Sequence, residues 1–240
     1  VAIGPRGVGG EGVRLGHDTG YISPTRLRGL GESVRAGRYP YFTRDWYNGR
    51  GGIWFPPQWV GGVGPWDVPP WGTLAPFVGI TTPPAVFDYG STTLIQDDTV
   101  YQNGDPLGSA ADYAAQALAL DDAGRAAMPA ATDQWQPLGV FGLIQGNETV
   151  AQRIFQLAID GNGVVRGNYY DTVADTTLPV SGALDKTSQR VAWSIGDKKS
   201  IVFETGLNNL LQNQTTVLIH YGKNSTQQMV LVRLPDPQGK

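Results

Sequence analysis

From Ala85 onward the apolar and polar positions of the chain follow short strand-like periods. Val86-Phe87-Asp88-Tyr89, Thr93-Leu94-Ile95 and Thr99-Val100-Tyr101 are brief β-prone runs parted by Gly90, Asp97-Asp98 and Asn103-Gly104. The Asn103-Gly104 pair suits a type I′ hairpin turn, which needs two residues of positive φ. One helix is predicted over about residues 109–123. Ser109 serves as its N-cap, Asp112 sits at the third helical position, Tyr113, Ala117 and Leu120 share a face, and Gly124 is its expected stop.

Beyond Pro129 the strands lengthen. In Arg190–Ile195 one parity carries Val191, Trp193 and Ile195, and the other carries Arg190, Ala192 and Ser194. In Gln228–Leu234 the expected inward parity is Val230, Val232 and Leu234, opposite Met229, Leu231 and Arg233. Leu138–Ile144, Ile154–Ile159, Val164–Tyr170, Ile201–Thr205 and Thr215–Tyr221 complete the set, with turn residues at Gly146-Asn147, Asp160-Gly161-Asn162-Gly163, Gly196-Asp197 and Gly222-Lys223-Asn224. Seven or eight strands with short connections predict a mainly β fold: an antiparallel meander that closes as a barrel or a sandwich to hide its edges, with one α-helix.

The first 80 residues read differently. Glycine and proline interrupt every run before a period of 2 or 3.6 develops, which predicts a long irregular arm over residues 1–84 ahead of a β-rich domain over 85–240. From Val1 to Ile80 eight arginines face five acids, a balance of +3, so the remainder of a chain with net charge −3 must carry −6. Trp46, Trp54, Trp59, Trp66 and Trp71 fall among prolines in this arm. Large aromatics in a segment without a core of its own need another surface to bury on. The arm is therefore expected to pack against neighbouring molecules, with Trp46, Trp54, Trp59, Trp66 and Trp71 as interface anchors and Arg44 and Arg50 as polar ones.

Composition narrows the chemistry. Glycine (33) and proline (17) are abundant and charged residues are only 16% of the chain, as in a turn-rich fold with few solvated helical faces. The mild net negative charge gives nucleic acid no whole-molecule attraction, so nucleic acid is not expected as a partner. Absent cysteine removes disulfides, thiolate metal sites and cysteine nucleophiles. No apolar run has the length of a transmembrane helix, and the start at Val1 reads as a mature form whose leader has been removed or lies outside this sequence.

Candidate motifs each have a plainer account. Gly7-Val8-Gly9-Gly10-Glu11-Gly12 matches G-x-G-x-x-G by letter, but no strand leads into it and no helix follows, so it reads as arm. Asp160-Gly161-Asn162-Gly163 opens like a calcium loop and lacks the later acidic ligand, as a hairpin turn would. His17 lies in the arm, and His220 shares parity with Leu218 as a sheet-face residue. Asp171, Asp175, Asp185 and Glu204 are the acids that a glycosidase pair would need, and scattered surface acids account for them as well. Tyr169, Tyr170 and Trp193 would line a cavity if the sheet closed as a calycin-like barrel, where a packed core is the simpler account. No metal, cofactor or catalytic residue is expected.

Several C-terminal segments resemble a known family. Leu138-Gly139-Val140-Phe141, Gly167-Asn168-Tyr169-Tyr170, Thr176-Thr177-Leu178-Pro179-Val180, Gln189-Arg190-Val191-Ala192-Trp193, Gly196-Asp197-Lys198-Lys199 and Thr226-Gln227-Gln228 are similar to exported putative cell-surface proteins of planctomycete-type bacteria, labelled "mu-protocadherin". The resemblance runs from about Trp71 to Leu234 and includes Asp88-Tyr89-Gly90. It implies an exported protein of the cell envelope or extracellular space and brings no activity with it. Cadherin calcium motifs do not occur here, so the label carries no calcium chemistry.

Two functions follow. One is a non-enzymatic structural component of the envelope or an extracellular assembly, self-associating through the arm with other copies or neighbouring envelope proteins, and with polysaccharide as a further partner class. The alternative is an exported binding module that holds a small apolar ligand or glycan in a calycin-like barrel.

Overall fold

The structure is a computed structural model that describes residues 23–239; Gly7–Gly12 and His17 lie outside the described residues. Helix α1 (Pro24–Arg35) starts at Ser23, whose side chain accepts the Arg26 N–H, with proline in the first turn where no N–H is needed. Leu27, Leu30 and Val34 recur at helical spacing on its inner face. The short α2 (Arg44–Asn48) is capped by Thr43, β1 is Gln58–Trp59, and α3 spans Trp71–Phe77. The arm thus holds three helices where an irregular chain is expected, because caps at Ser23 and Thr43 and a nearby apolar wall outweigh the glycines around them.

Strands β2 (Thr93–Gln96), β3 (Thr99–Gln102) and β4 (Asp105–Ser109) form a small antiparallel sheet. Its turns use Asp97 and Asp98 at φ 47° and 61° and Asn103 and Gly104 at 54° and 92°, as type I′ turns require. Helix α4 (Ala110–Ala126) begins at Ser109, whose hydroxyl accepts the Asp112 N–H at 3.0 Å. It does not stop at Gly124. That glycine is buried within the helix because a Cβ there would lie 2.1 Å from the backbone of Gly182. Gly124→Ala is expected to push α4 off the sheet at a cost of about 1–3 kcal/mol, read as a lower melting temperature; an unchanged one would mean that the helix stands further away.

Eight strands follow: β5 (Gln134–Ile144), β6 (Arg153–Asp160), β7 (Val164–Asp171), β8 (Thr176–Asp185), β9 (Arg190–Ile195), β10 (Ile201–Gly206), β11 (Gln214–Tyr221) and β12 (Thr226–Arg233). Each pairs antiparallel with the next, and β12 returns to pair with β5, Val230 opposite Ile144. The meander closes as an eight-stranded antiparallel barrel rather than a sandwich. Closure leaves no strand edge in the main sheet except where β1 adds to β5.

The lumen is packed. Trp193 and Phe203 stack with ring centroids 5.8 Å apart, and Phe155 meets both edge-on at 6.0 and 5.1 Å. Tyr169, Leu157, Val217 and Ile219 join them, fully buried. The mouth at the turns 161–163 and 186–189 is plugged by Leu74 of α3, by Val78 just after that helix and by Leu207 and Leu210. Arg233 closes the same end. Its guanidinium stacks 4.7 Å from Phe141 and donates to the carbonyls of Leu138 and Leu210. Burial lowers its pKa to about 10. A Cβ on Gly139, at φ 125°, would meet that guanidinium at 1.9 Å, so only glycine fits beside it.

The outer wall is apolar too, and wrapped. On β12 Met229 and Leu231 belong to the lumen cluster, whereas Val230, Val232 and Leu234 join the cluster beneath the arm, the reverse of the parity expected. A strand buried on both faces gives no alternation that tells inside from outside. The arm covers β5, β6, β7 and β12 with Tyr39, Phe42 and Trp46, while α4 lies over β8 and β9. The boundary at Pro84 therefore does not separate two cores.

Candidate binding cleft beside a buried charge network

Pairing register brings one charged cluster together on the outer wall. Glu204 on β10, Arg190 on β9, and His220 on β11 point outward under Tyr113 of α4 and under Tyr89, which precedes β2. The Glu204 carboxylate is fully buried and accepts four hydrogen bonds: Arg190 Nε at 2.7 Å, Arg190 Nη2 at 2.9 Å, the Tyr89 hydroxyl at 3.1 Å and His220 Nε2 at 2.8 Å. That occupies all of its lone-pair positions. Burial raises its pKa, but the Arg190 charge and the His220 and Arg190 hydrogen bonds outweigh burial and hold it at about 2. An ionised carboxylate only accepts, so His220 carries its proton on Nε2, and its Nδ1 meets Thr226 Oγ1 at 2.9 Å. Burial, and after it the Glu204 charge, push the Tyr89 and Tyr113 hydroxyls above the ordinary tyrosine value, so both stay protonated.

Arg190 links this network to a cleft. Its guanidinium lies 3.7 Å from the Tyr113 ring, donates from Nη2 to the Tyr113 carbonyl at 2.9 Å and from Nη1 to Gln116 Oε1 at 2.7 Å. Arg190 is itself among the residues that line the cleft. This cleft, about 380 Å³ in volume, runs between the start of α4, β4 and the β8–β9 turn. Its lining includes the hydroxyls of Ser109, Thr187 and Ser188, the Asp112 carboxylate, the amides of Gln102 and Gln116 and the apolar side chains of Ala85, Phe87 and Leu107; the Ser109 hydroxyl donates to Asp112 and that of Ser188 to Asp185. The rim is fixed by side chains: Gln189 accepts from the Ala85 N–H at 2.7 Å, and Asn209 bonds both the N–H and the carbonyl of Phe87.

The expected interface residues lie elsewhere. Trp46 packs between Phe42 and Tyr170, and Arg50 lies 4.9 and 5.2 Å from the Trp46 and Tyr170 rings while pairing with Asp175 at 2.9 Å. The Trp54 backbone is held at both N–H and carbonyl by the Asn168 side chain, and its ring meets Trp135 at 4.9 Å. Trp59 pairs along β5, Trp66 packs on the outer cluster and Trp71 on the lumen cluster. Arg44 is exposed. These aromatics thus have a surface on their own barrel. Of the expected cavity residues, Tyr169 and Trp193 are inside, but Tyr170 is outside beneath the arm, since adjacent strand residues point to opposite faces.

Asp171 and Asp185 accept turn N–H groups, and Asp175 pairs with Arg50; none of them faces Glu204 as a carboxylate pair. Glu204 and Arg190 escaped sequence reasoning as a pair. The only signal was an acid following Ile201-Val202-Phe203 in a strand otherwise fit for burial. Among the described residues no cluster of three or more His, Asp or Glu is placed to hold a metal, and no helix is long and apolar enough to cross a membrane. No protein-family model, curated protein or solved structure matches the chain.

Proposed function

We propose that the chain is a non-enzymatic binding module of an exported envelope or extracellular protein, taking a small neutral saccharide in the outer cleft rather than a ligand in the lumen. The cleft carries this reading. Hydroxyls, amides and one carboxylate share its lining with apolar side chains, and the Arg190 guanidinium in that lining is fixed by Glu204, Gln116 and Tyr113. A sugar ring likewise combines polar hydroxyls with an apolar face. The saturated Glu204 and enclosed His220 favour a supporting role over proton transfer. The exported location rests on the family resemblance alone.

Leu107, 52% exposed at the cleft edge, offers a test that spares the fold. In a titration against a panel of mono- and disaccharides followed by NMR, a hit should shift Ser188 and Gln116, and Leu107→Arg should weaken it at least about tenfold, about 1.4 kcal/mol. A panel that leaves the cleft signals unmoved rejects the reading. Self-association through the arm keeps one observation in its favour: Phe55, 53% exposed, stands beside Tyr47 and Trp59. A light-scattering mass that falls from oligomer to monomer on Phe55→Ser would support that reading.

A further inference from the structure

The two mouths of the barrel differ. One is sealed by α3, Leu210 and Arg233; at the other the half-buried side chains Leu178, Ile201 and Tyr221 pack on the lumen cluster between the loops 145–152, 172–175, 196–200 and 222–225. Two of those loops raise valines into solvent, Val150 at 60% and Val173 at 73% exposure. The other two lie side by side, the Gly222 N–H donating to the Ser200 carbonyl at 2.8 Å, and carry Lys198, Lys199 and Lys223, all exposed. Three of the chain's five lysines thus share one rim.

Two acids at this end are held in ion pairs, Glu148 with Arg153 at 2.7 Å and Asp175 with Arg50 at 2.9 Å, while Asp197 is fully exposed, 4.0 Å from Arg125. Asp171 accepts the N–H groups of Val173 and Ala174 and so shapes the loop that lifts Val173. Lys199 and Lys223 make no ion pair among the described residues. The rim therefore presents three exposed lysines and two exposed valines on loops at one end of the barrel.

We propose that this end of the barrel docks on an anionic lipid bilayer, lysines at the headgroups and the two valines in the interfacial layer. Charge complementarity decides the occupant. Lysines gain from an anionic leaflet within a Debye length, and an exposed valine gains from leaving water; a bilayer offers both on one plane, which a soluble polyanion does not. The proposal is independent of the cleft, which opens on the side of the barrel.

Co-sedimentation of the full chain with phosphatidylcholine vesicles, and with vesicles of equal parts phosphatidylcholine and phosphatidylglycerol, tests it. Binding is expected to the mixed vesicles, to fall with salt, and to be weak to phosphatidylcholine alone. Lys199→Glu with Lys223→Glu should lower the partition coefficient at least about tenfold, and Val150→Asp with Val173→Asp should lower it several-fold, with circular dichroism unchanged for both. Equal binding to the two vesicle types, no binding, or loss on charge reversal with no effect of the valine pair would overturn it, the last outcome indicating a soluble polyanion.

Discussion

Glu204→Gln is expected to lower the free energy of unfolding by about 3–5 kcal/mol, because removing one partner of a buried pair strands the other charge away from water. Arg190 would keep its place over Tyr113 with no counter-ion, and the amide nitrogen would face the donors that the carboxylate now accepts. The pH dependence gives a second route to the same size. Glu204 titrates near 2 in the fold against an ordinary 4.5, so its contribution is present above about pH 4.5 and is lost as the pH falls through about 2. That depression corresponds to roughly 3 kcal/mol. Urea unfolding of both proteins should show a gap that is full at neutral pH and closes between those two values. An Arg190→Met, Glu204→Leu double variant should recover only part of the loss, since it strands no charge but leaves the Tyr89 hydroxyl and the His220 Nε2–H buried without their acceptor. A gap that stays constant down to acid would mean that Glu204 is not held as an anion.

Trp193→Ala is expected to cost about 3–5 kcal/mol and to leave a lumen that stays dry or takes a small apolar molecule. Trp193 is fully buried between Phe155 and Phe203, with Tyr169 packed on Phe155, so its truncation would leave a cavity that these large neighbours fill only in part. In a barrel built to hold a ligand the same truncation would enlarge a cavity already present, at a much smaller loss. The midpoint of denaturant unfolding separates the two. A shift of under about 1 kcal/mol would return the lumen to consideration as a binding site.

Strand positions and turn chemistry were legible because they are local. The Asn103-Gly104 turn, the Ser109 cap and the parity of Val191, Trp193 and Ile195 each depend on a few neighbouring residues. The count of strands and their short connections already limited the fold to an antiparallel meander, as a barrel or a sandwich. What stayed hidden was contact at long range. Gly124 looked like a helix stop and is instead the place where α4 meets Gly182, and Tyr170 looked like a partner of Tyr169 and faces the other way. The arm's tryptophans announced a need for burial without saying where, and Asn168 and Tyr170 on β7 met that need within the same chain.

By itself, then, the sequence determined a turn-rich antiparallel meander with one long helix, fixed by period-two patterning, turn residues and a cap. Tertiary structure alone decided that the meander closes as a barrel, which of its two apolar faces is the lumen, and that Arg190, Glu204 and His220 meet. The physical reason is register. Those three side chains come from three different strands, and a shift of one residue in any pairing would carry its member of the network to the opposite face.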